Sequence, residues 1–80
     1  MEYVAFYVSD NIVSVCNVII ARESTLNGLK CNMLGKYWYS IKRVNERHDI
    51  FISTYDVENN VIDLENKALY YPAGALKWKI

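Results

Sequence analysis

Apolar and polar residues alternate along much of the chain, which is the pattern expected of half-buried β-strands. Runs of this kind cover residues 3–8, 12–20 and 50–57, and all are rich in aromatic and β-branched side chains. Between the first two runs, Ser9-Asp10-Asn11 predicts a tight turn, because Asp and Asn tolerate left-handed backbone. The chain is therefore expected to open with an antiparallel hairpin.

Between residues 24 and 35 the apolar residues recur with the period of a helix instead of the alternation of a strand. Four apolar residues fall at the helical spacing i, i+3, i+7 and i+8, namely Leu26, Leu29, Met33 and Leu34. Ser24 or Thr25 supplies an N-cap and Gly35 a C-terminal stop. The competing interpretation is a hairpin, since Asn27-Gly28 is a strong turn signal. We favour the helix, because the stripe and both end signals agree.

The second half of the chain predicts further strands. Lys36–Val44 alternates and is expected to form a hairpin with Ile50–Val57 across the polar turn 45–49. Residues 61–71 suit either a helix or two short strands. Pro72-Ala73-Gly74 predicts a break, and Leu76–Ile80 an edge strand whose Lys77 and Lys79 face water.

These elements predict one α+β domain over residues 1–80. Its expected architecture is a small antiparallel β-sheet with one helix packed on one face, in the order ββαββ plus a C-terminal strand. Eighty residues are too few for two hydrophobic cores, and an apolar fraction of 52% is enough to build one.

Charge and cysteine content indicate which classes of partner and which cellular compartment fit this sequence. Nine basic and nine acidic residues give no net charge, which argues against a general nucleic-acid binder. It also leaves little repulsion between copies, so both a monomer and a homodimer are open. Cys16 and Cys31 are interpreted as reduced thiols of a cytoplasmic protein, with a single bridge between them as the alternative. No signal peptide or membrane span is expected.

Catalytic and metal-binding patterns are weak. Cys16 or Cys31 with His48 and Asp49 would supply the residue types of a thiol triad, but no family motif surrounds them. The thiols and His48 lack zinc-ligand spacing. An acidic run lacks the central glycine of a calcium loop; it comprises Asp56, Glu58, Asn60 and Asp63. We therefore expect no enzyme, no metal and no cofactor.

Aromatic and basic side chains interleave between residues 36 and 48. They are Lys36, Trp38, Tyr39, Lys42, Arg43, Arg47 and His48. Such a surface can stack bases and hold phosphates, although strand alternation would divide these residues between two faces. Seven Tyr and two Trp are also the residue types that anchor protein interfaces. The predicted partner-binding residues are Trp38, Tyr39, Lys42 and Arg47, on the hairpin with the accessible polar turn.

The predicted order of elements resembles that of some small phage-encoded inhibitors, including certain anti-CRISPR proteins. The resemblance is carried by the opening hairpin, by Ile20-Ala21-Arg22-Glu23-Ser24 leading into a helix ended by Gly35, and by a closing meander that begins at Tyr37-Trp38-Tyr39. It covers most of the chain as topology and contains no specific motif. It implies a protein that blocks a host defence complex by occupying its surface.

The sequence therefore predicts a non-enzymatic protein-binding inhibitor, encoded by a phage or mobile element and acting by steric occlusion. Two alternatives remain open. One is a small single-stranded nucleic-acid-binding module that uses the same residues. The other is an immunity or antitoxin protein with a cognate bacterial toxin.

Overall fold

The computed structural model describes residues 1–10 and 13–71, together with the backbone of residues 76–78. The elements in chain order are β1 (Glu2–Asp10), β2 (Val15–Glu23), α1 (Leu26–Met33), α2 (Trp38–Asn45), β3 (Ile50–Asp56), β4 (Val61–Ile62), β5 (Ala68–Tyr70) and β6 (Leu76–Trp78). Within this part of the chain, six strands form one antiparallel sheet in the order β2-β1-β3-β5-β6, and β4 also pairs with β3. The predicted α+β class is confirmed as a curled antiparallel sheet with two helices.

The prediction of a single helix is wrong, because the expected strand Lys36–Val44 contains helix α2. Tyr37, Ile41 and Val44 follow the helical spacing i, i+4 and i+7, and all three pack against one core cluster. The expected hairpin with Ile50–Val57 is also wrong. Strand β3 is already paired with β1 on one side and with β4 and β5 on the other.

Other predictions are confirmed with shifted boundaries. The opening hairpin is present, but β2 begins at Val15 and continues to Glu23. Of the alternatives for residues 24–34 and 61–71, the structure has the helix in the first segment and short strands in the second. The predicted break at 72–74 and the end of the last strand at 79–80 lie outside the described residues, as does the side chain of Lys77.

Strand β1 runs through the middle of the core. Val4, Ala5 and Phe6 are all fully buried, so both faces of the sheet are covered at this point. The helices cover one face, where the buried cluster comprises Ala5, Ala21, Leu29, Met33, Ile41, Ile50, Ile52 and Tyr70. The other face has a smaller cluster of Val4, Phe6 and Tyr55. Phe51 packs against this cluster. Two long cationic side chains lie over aromatic rings on this face: Arg22 is 5.3 Å from the ring centroid of Tyr55, and Lys67 is 5.4 Å from that of Phe51.

Helix α1 starts at a hydroxyl cap. The Oγ1 of Thr25 accepts a hydrogen bond from the backbone N–H of Gly28 at 3.0 Å. A Cβ at residue 28 would lie 2.9 Å from that oxygen. Gly28 therefore leaves room for the capping side chain, and the Asn27-Gly28 pair lies inside a helix rather than in a turn.

Two similar acidic turns follow β3. Residues 56–59 read Asp-Val-Glu-Asn and residues 63–66 read Asp-Leu-Glu-Asn. In each turn, the Asp carboxylate accepts from both the backbone N–H and the side-chain amide of the Asn three positions on. Hydrogen bonds from the Asn side chains are the main reason that the pKa of Asp56 and of Asp63 is lowered.

Removing one of these carboxylates should lower the free energy of unfolding by an amount that depends on pH. A lowered folded-state pKa stabilises the fold above the unfolded-state pKa, and this stabilisation is lost as the pH falls through the folded-state value. We expect Asp63→Asn to lower the free energy of unfolding most near neutral pH and progressively less in acid. Urea denaturation between neutral and acid pH measures this. Glu58→Gln is the control, and a deficit in Asp63→Asn that does not change with pH would contradict the assignment.

Candidate functional site

The structure brings the four predicted partner-binding residues onto one helix and the turn after it. Trp38, Tyr39 and Lys42 lie on α2, and Arg47 lies two residues beyond its last residue. Trp38 is 39% exposed and Tyr39 is 76% exposed. Lys42 and Arg47 are exposed as well. The prediction that these residues lie on a β-hairpin is wrong, because this segment is helical.

Helical spacing arranges the exposed side chains in two rows. Trp38 and Lys42 are four residues apart, and so are Tyr39 and Arg43. Arg47 is one further turn along the second row. Strand alternation also predicts Arg43 on the face of Tyr39, and the helix keeps these two side chains together, so Arg43 belongs with the predicted residues. We call the exposed surface formed by Trp38, Tyr39, Lys42, Arg43 and Arg47 the α2 face.

The opposite side of α2 attaches the helix to the sheet. Ile41 is 1% exposed and belongs to the cluster on the helix-covered face. Before the helix, the hydroxyl of Tyr37 donates to the carboxylate of Glu23 at 3.0 Å. That contact connects the start of α2 to the end of β2. The buried side thus determines which side chains of α2 are presented outward.

An apolar recess of about 280 Å³ lies beside the α2 face. Its lining includes Trp38, Ile41, Lys42 and, from β5, Tyr70. Tyr70 is 4% exposed, and its buried hydroxyl has no hydrogen-bond partner among the described residues. Burial also raises the pKa of Tyr70. A buried polar group is normally hydrogen-bonded, so the unpaired hydroxyl of Tyr70 costs the fold stability.

A polar cleft of about 520 Å³ lies on another side of α2. Arg43, Arg47 and His48 contribute to its wall, together with Tyr7 from β1. The rings of Tyr7 and His48 are stacked with centroids 4.6 Å apart. The cleft therefore combines cationic groups with a fixed aromatic pair, a combination suited to anionic ligands that carry a planar ring.

Charge is unevenly distributed although the net charge is zero. Residues 36–48 contain four of the nine basic residues and one acidic residue, whereas residues 56–66 contain four acidic residues and no basic one. The first segment precedes β3 and the second begins at its end. The α2 face belongs to the basic segment.

The residues considered for catalysis are distributed over different elements. Cys16 is exposed on β2, Cys31 is exposed on α1, and neither thiol forms a disulfide. The ring contact of His48 is with Tyr7. Within the described residues, no group of three or more His, Cys, Asp or Glu side chains is arranged to hold a metal ion.

Comparison with protein-family models found no match for the chain, and comparisons with curated proteins and with solved structures found none either. In the part of the chain that the structure describes, neither helix has the length and apolar character needed to cross a bilayer. Function is therefore inferred from the residues and geometry of this chain.

The unpartnered hydroxyl of Tyr70 gives a stability prediction. An unsatisfied buried polar group costs about 1–3 kcal/mol, so Tyr70→Phe is expected to raise the free energy of unfolding by about 1 kcal/mol. Tyr55→Phe is the matched control, because the hydroxyl of Tyr55 donates to the side chain of Asn60. Losing that bond should lower the free energy of unfolding by about 1 kcal/mol. Urea denaturation measures both changes, and equal losses in the two variants would contradict the assignment.

Proposed function

We propose that the protein is a non-enzymatic binding protein that occupies the surface of a partner protein through the α2 face. The observation that carries the proposal is the apolar recess lined by Trp38, Ile41 and Tyr70. Interface anchors are aromatic or apolar side chains that enter such recesses and become fully desolvated. A protruding apolar side chain of the partner matches this recess.

The charges around the recess indicate the chemistry of the partner. Within the described residues, the ion pair that the structure forms is Arg22 with Glu2. Lys42, Arg43 and Arg47 are therefore without a described carboxylate partner and face solvent. A complementary partner surface would be acidic and would contain at least one protruding apolar side chain.

The mechanism that fits this surface is steric occlusion. The α2 face needs no catalytic group to act, since occupying the partner's surface excludes its other ligands. Occlusion of this kind would inhibit the partner, and a phage-encoded inhibitor of a host defence complex is the form of this proposal that the sequence predicts. The closing part of the predicted resemblance changes, however, because Tyr37-Trp38-Tyr39 leads into a helix rather than a meander.

Truncating the aromatic anchors tests the proposal. We expect Tyr39→Ala to weaken partner binding by about 2 kcal/mol. Its free energy of unfolding should change by less than about 0.5 kcal/mol, because the side chain is 76% exposed. The partner is first captured from nuclease-treated lysate with tagged wild-type protein and identified. Its affinity for each variant is then measured by calorimetry with purified components.

Two matched controls separate the α2 face from general surface effects. Leu34→Ala removes a 57% exposed apolar side chain just after α1, and Lys30→Ala removes an exposed cation on α1. Lys30→Ala is paired with Lys42→Ala. Both controls should bind as the wild type does. A partner that binds Tyr39→Ala and Lys42→Ala as tightly as the controls would contradict the proposal.

A second candidate function is binding of single-stranded nucleic acid. The observation that favours it is the stacked Tyr7–His48 pair in a cleft bordered by Arg43 and Arg47. Aromatic rings can stack on bases, while arginines contact phosphates. The zero net charge of the chain counts against strong binding of this kind.

The salt dependence of binding distinguishes this candidate. If the cleft holds a single strand, the affinity for a fluorescent oligonucleotide falls steeply with salt, and Arg43→Ala reduces the slope of log affinity against log salt by about 0.7. Fluorescence anisotropy at several salt concentrations measures the slope, with Lys30→Ala as the control. An affinity that is independent of salt, or no binding at low salt, removes this candidate.

A further inference from the structure

Strand β2 is a long, exposed edge of the sheet. It comprises nine residues and pairs with β1 on one side. In the described part of the chain, no strand pairs with its other side. An edge strand of this length presents a row of backbone N–H and C=O groups that another strand can pair with.

Charges and proline are missing from most of β2, and the register shift at Ile20 lies beyond the segment Val15–Ile19. Residues 11–21 contain no charged residue, no proline and no glycine. Natural edge strands commonly carry lysine, proline or a short length to prevent pairing. The charges of β2, Arg22 and Glu23, come only at its end, where Arg22 pairs with Glu2 of β1. The central part of the edge is therefore available for pairing.

Exposed side chains on β2 are arranged symmetrically about Asn17. Val15 and Ile19 lie two positions before and after it, so all three side chains point to one face of the sheet. Val15 is 68% exposed and Ile19 is 38% exposed. On the same face, Asn17 is paired with Val8 of β1, which is 40% exposed. This apolar patch extends to the edge of the sheet, where no further strand of the described residues continues it.

We propose that β2 pairs antiparallel with β2 of a second copy of the chain, about a two-fold axis that passes through Asn17. This register places Val15 of each copy opposite Ile19 of the other and the two Asn17 side chains opposite each other. The two patches then form one apolar strip on a continuous sheet. Because opposite residues of an antiparallel pair point to the same face, this register also joins the helix-covered face of one copy to the helix-covered face of the other.

A second copy fits this edge for two reasons. A strand whose apolar residues are symmetric about its centre is complementary to itself, as an isologous interface requires. The chain also carries no net charge, so two copies do not repel each other at long range. Helix α2 packs over β3, which is separated from β2 by β1. The Arg43 and Arg47 part of the α2 face lies beside Tyr7 of β1, which pairs with Val18 of β2.

Charge reversal at the two-fold axis tests the register. The full chain is studied by sedimentation equilibrium as wild type, Asn17→Lys and Asn17→Glu. Wild type is expected to dimerise. Each variant alone should dimerise roughly fivefold more weakly, because two like charges lie directly opposite each other. An equimolar mixture of the two variants should regain at least the wild-type affinity as a heterodimer.

Asn27→Lys is the matched control, since Asn27 is exposed on α1 and away from the edge. It should dimerise as the wild type does. Circular dichroism checks that every variant is folded. A wild-type chain that stays monomeric at the highest concentration it reaches overturns the proposal, as does a chain that pairs only with a strand of another protein. Dimerisation that is equally strong in Asn17→Lys, or a mixture that regains nothing, overturns the register.

Discussion

Burial of three consecutive residues in β1 is the constraint on which the rest of the structure depends. Successive side chains of a strand point to opposite faces, so Val4 and Phe6 need cover on one face while Ala5 needs cover on the other. Helices α1 and α2 provide the cover over Ala5. On the other face, the curl of the sheet brings Tyr55 onto Val4 and Phe6, and the stems of long cations complete the layer. An 80-residue chain thereby builds two small apolar layers around a single strand.

The helix-covered face also explains why α2 presents a binding surface. Small sheet residues such as Ala5 and Ala21 meet large helix residues such as Leu29 and Ile41, so the helices pack closely on the strands. Eight residues of α2 then have one side in the core and one side in water. The outward side carries the aromatic and basic residues. The recess at Tyr70 forms because α2 and β5 meet there without filling the space between them.

The α2 face and the β2 edge are separate surfaces with different chemistry. The first is basic and aromatic, with a recess suited to a partner side chain. The second is an uncharged strand edge whose backbone is its main recognition element. Strand β1 lies between β2 and β3, and α2 packs over β3. A dimer formed through β2 would raise the avidity for any partner that displays two copies of an epitope.

Local patterns in the sequence predicted the opening hairpin and favoured a helix over a hairpin at residues 24–34, with Ser24 or Thr25 as its cap. They left the short strands of residues 61–71 as one of two alternatives. They also predicted Trp38, Tyr39, Lys42 and Arg47 as partner-binding residues, because aromatic and basic residues are concentrated between residues 36 and 48. Tertiary structure decided the rest. Tyr37, Tyr39 and Ile41 fit a strand, while Tyr37, Ile41 and Val44 fit a helix equally well, so periodicity alone could not choose. Strand β3 pairs with β1 on one side and with β4 and β5 on the other, so no place is left beside it for another strand. Residues 37–44 instead form a helix whose Tyr37, Ile41 and Val44 pack in the core. The same choice brought Trp38 and Tyr70 to one recess, because only packing brings distant segments together.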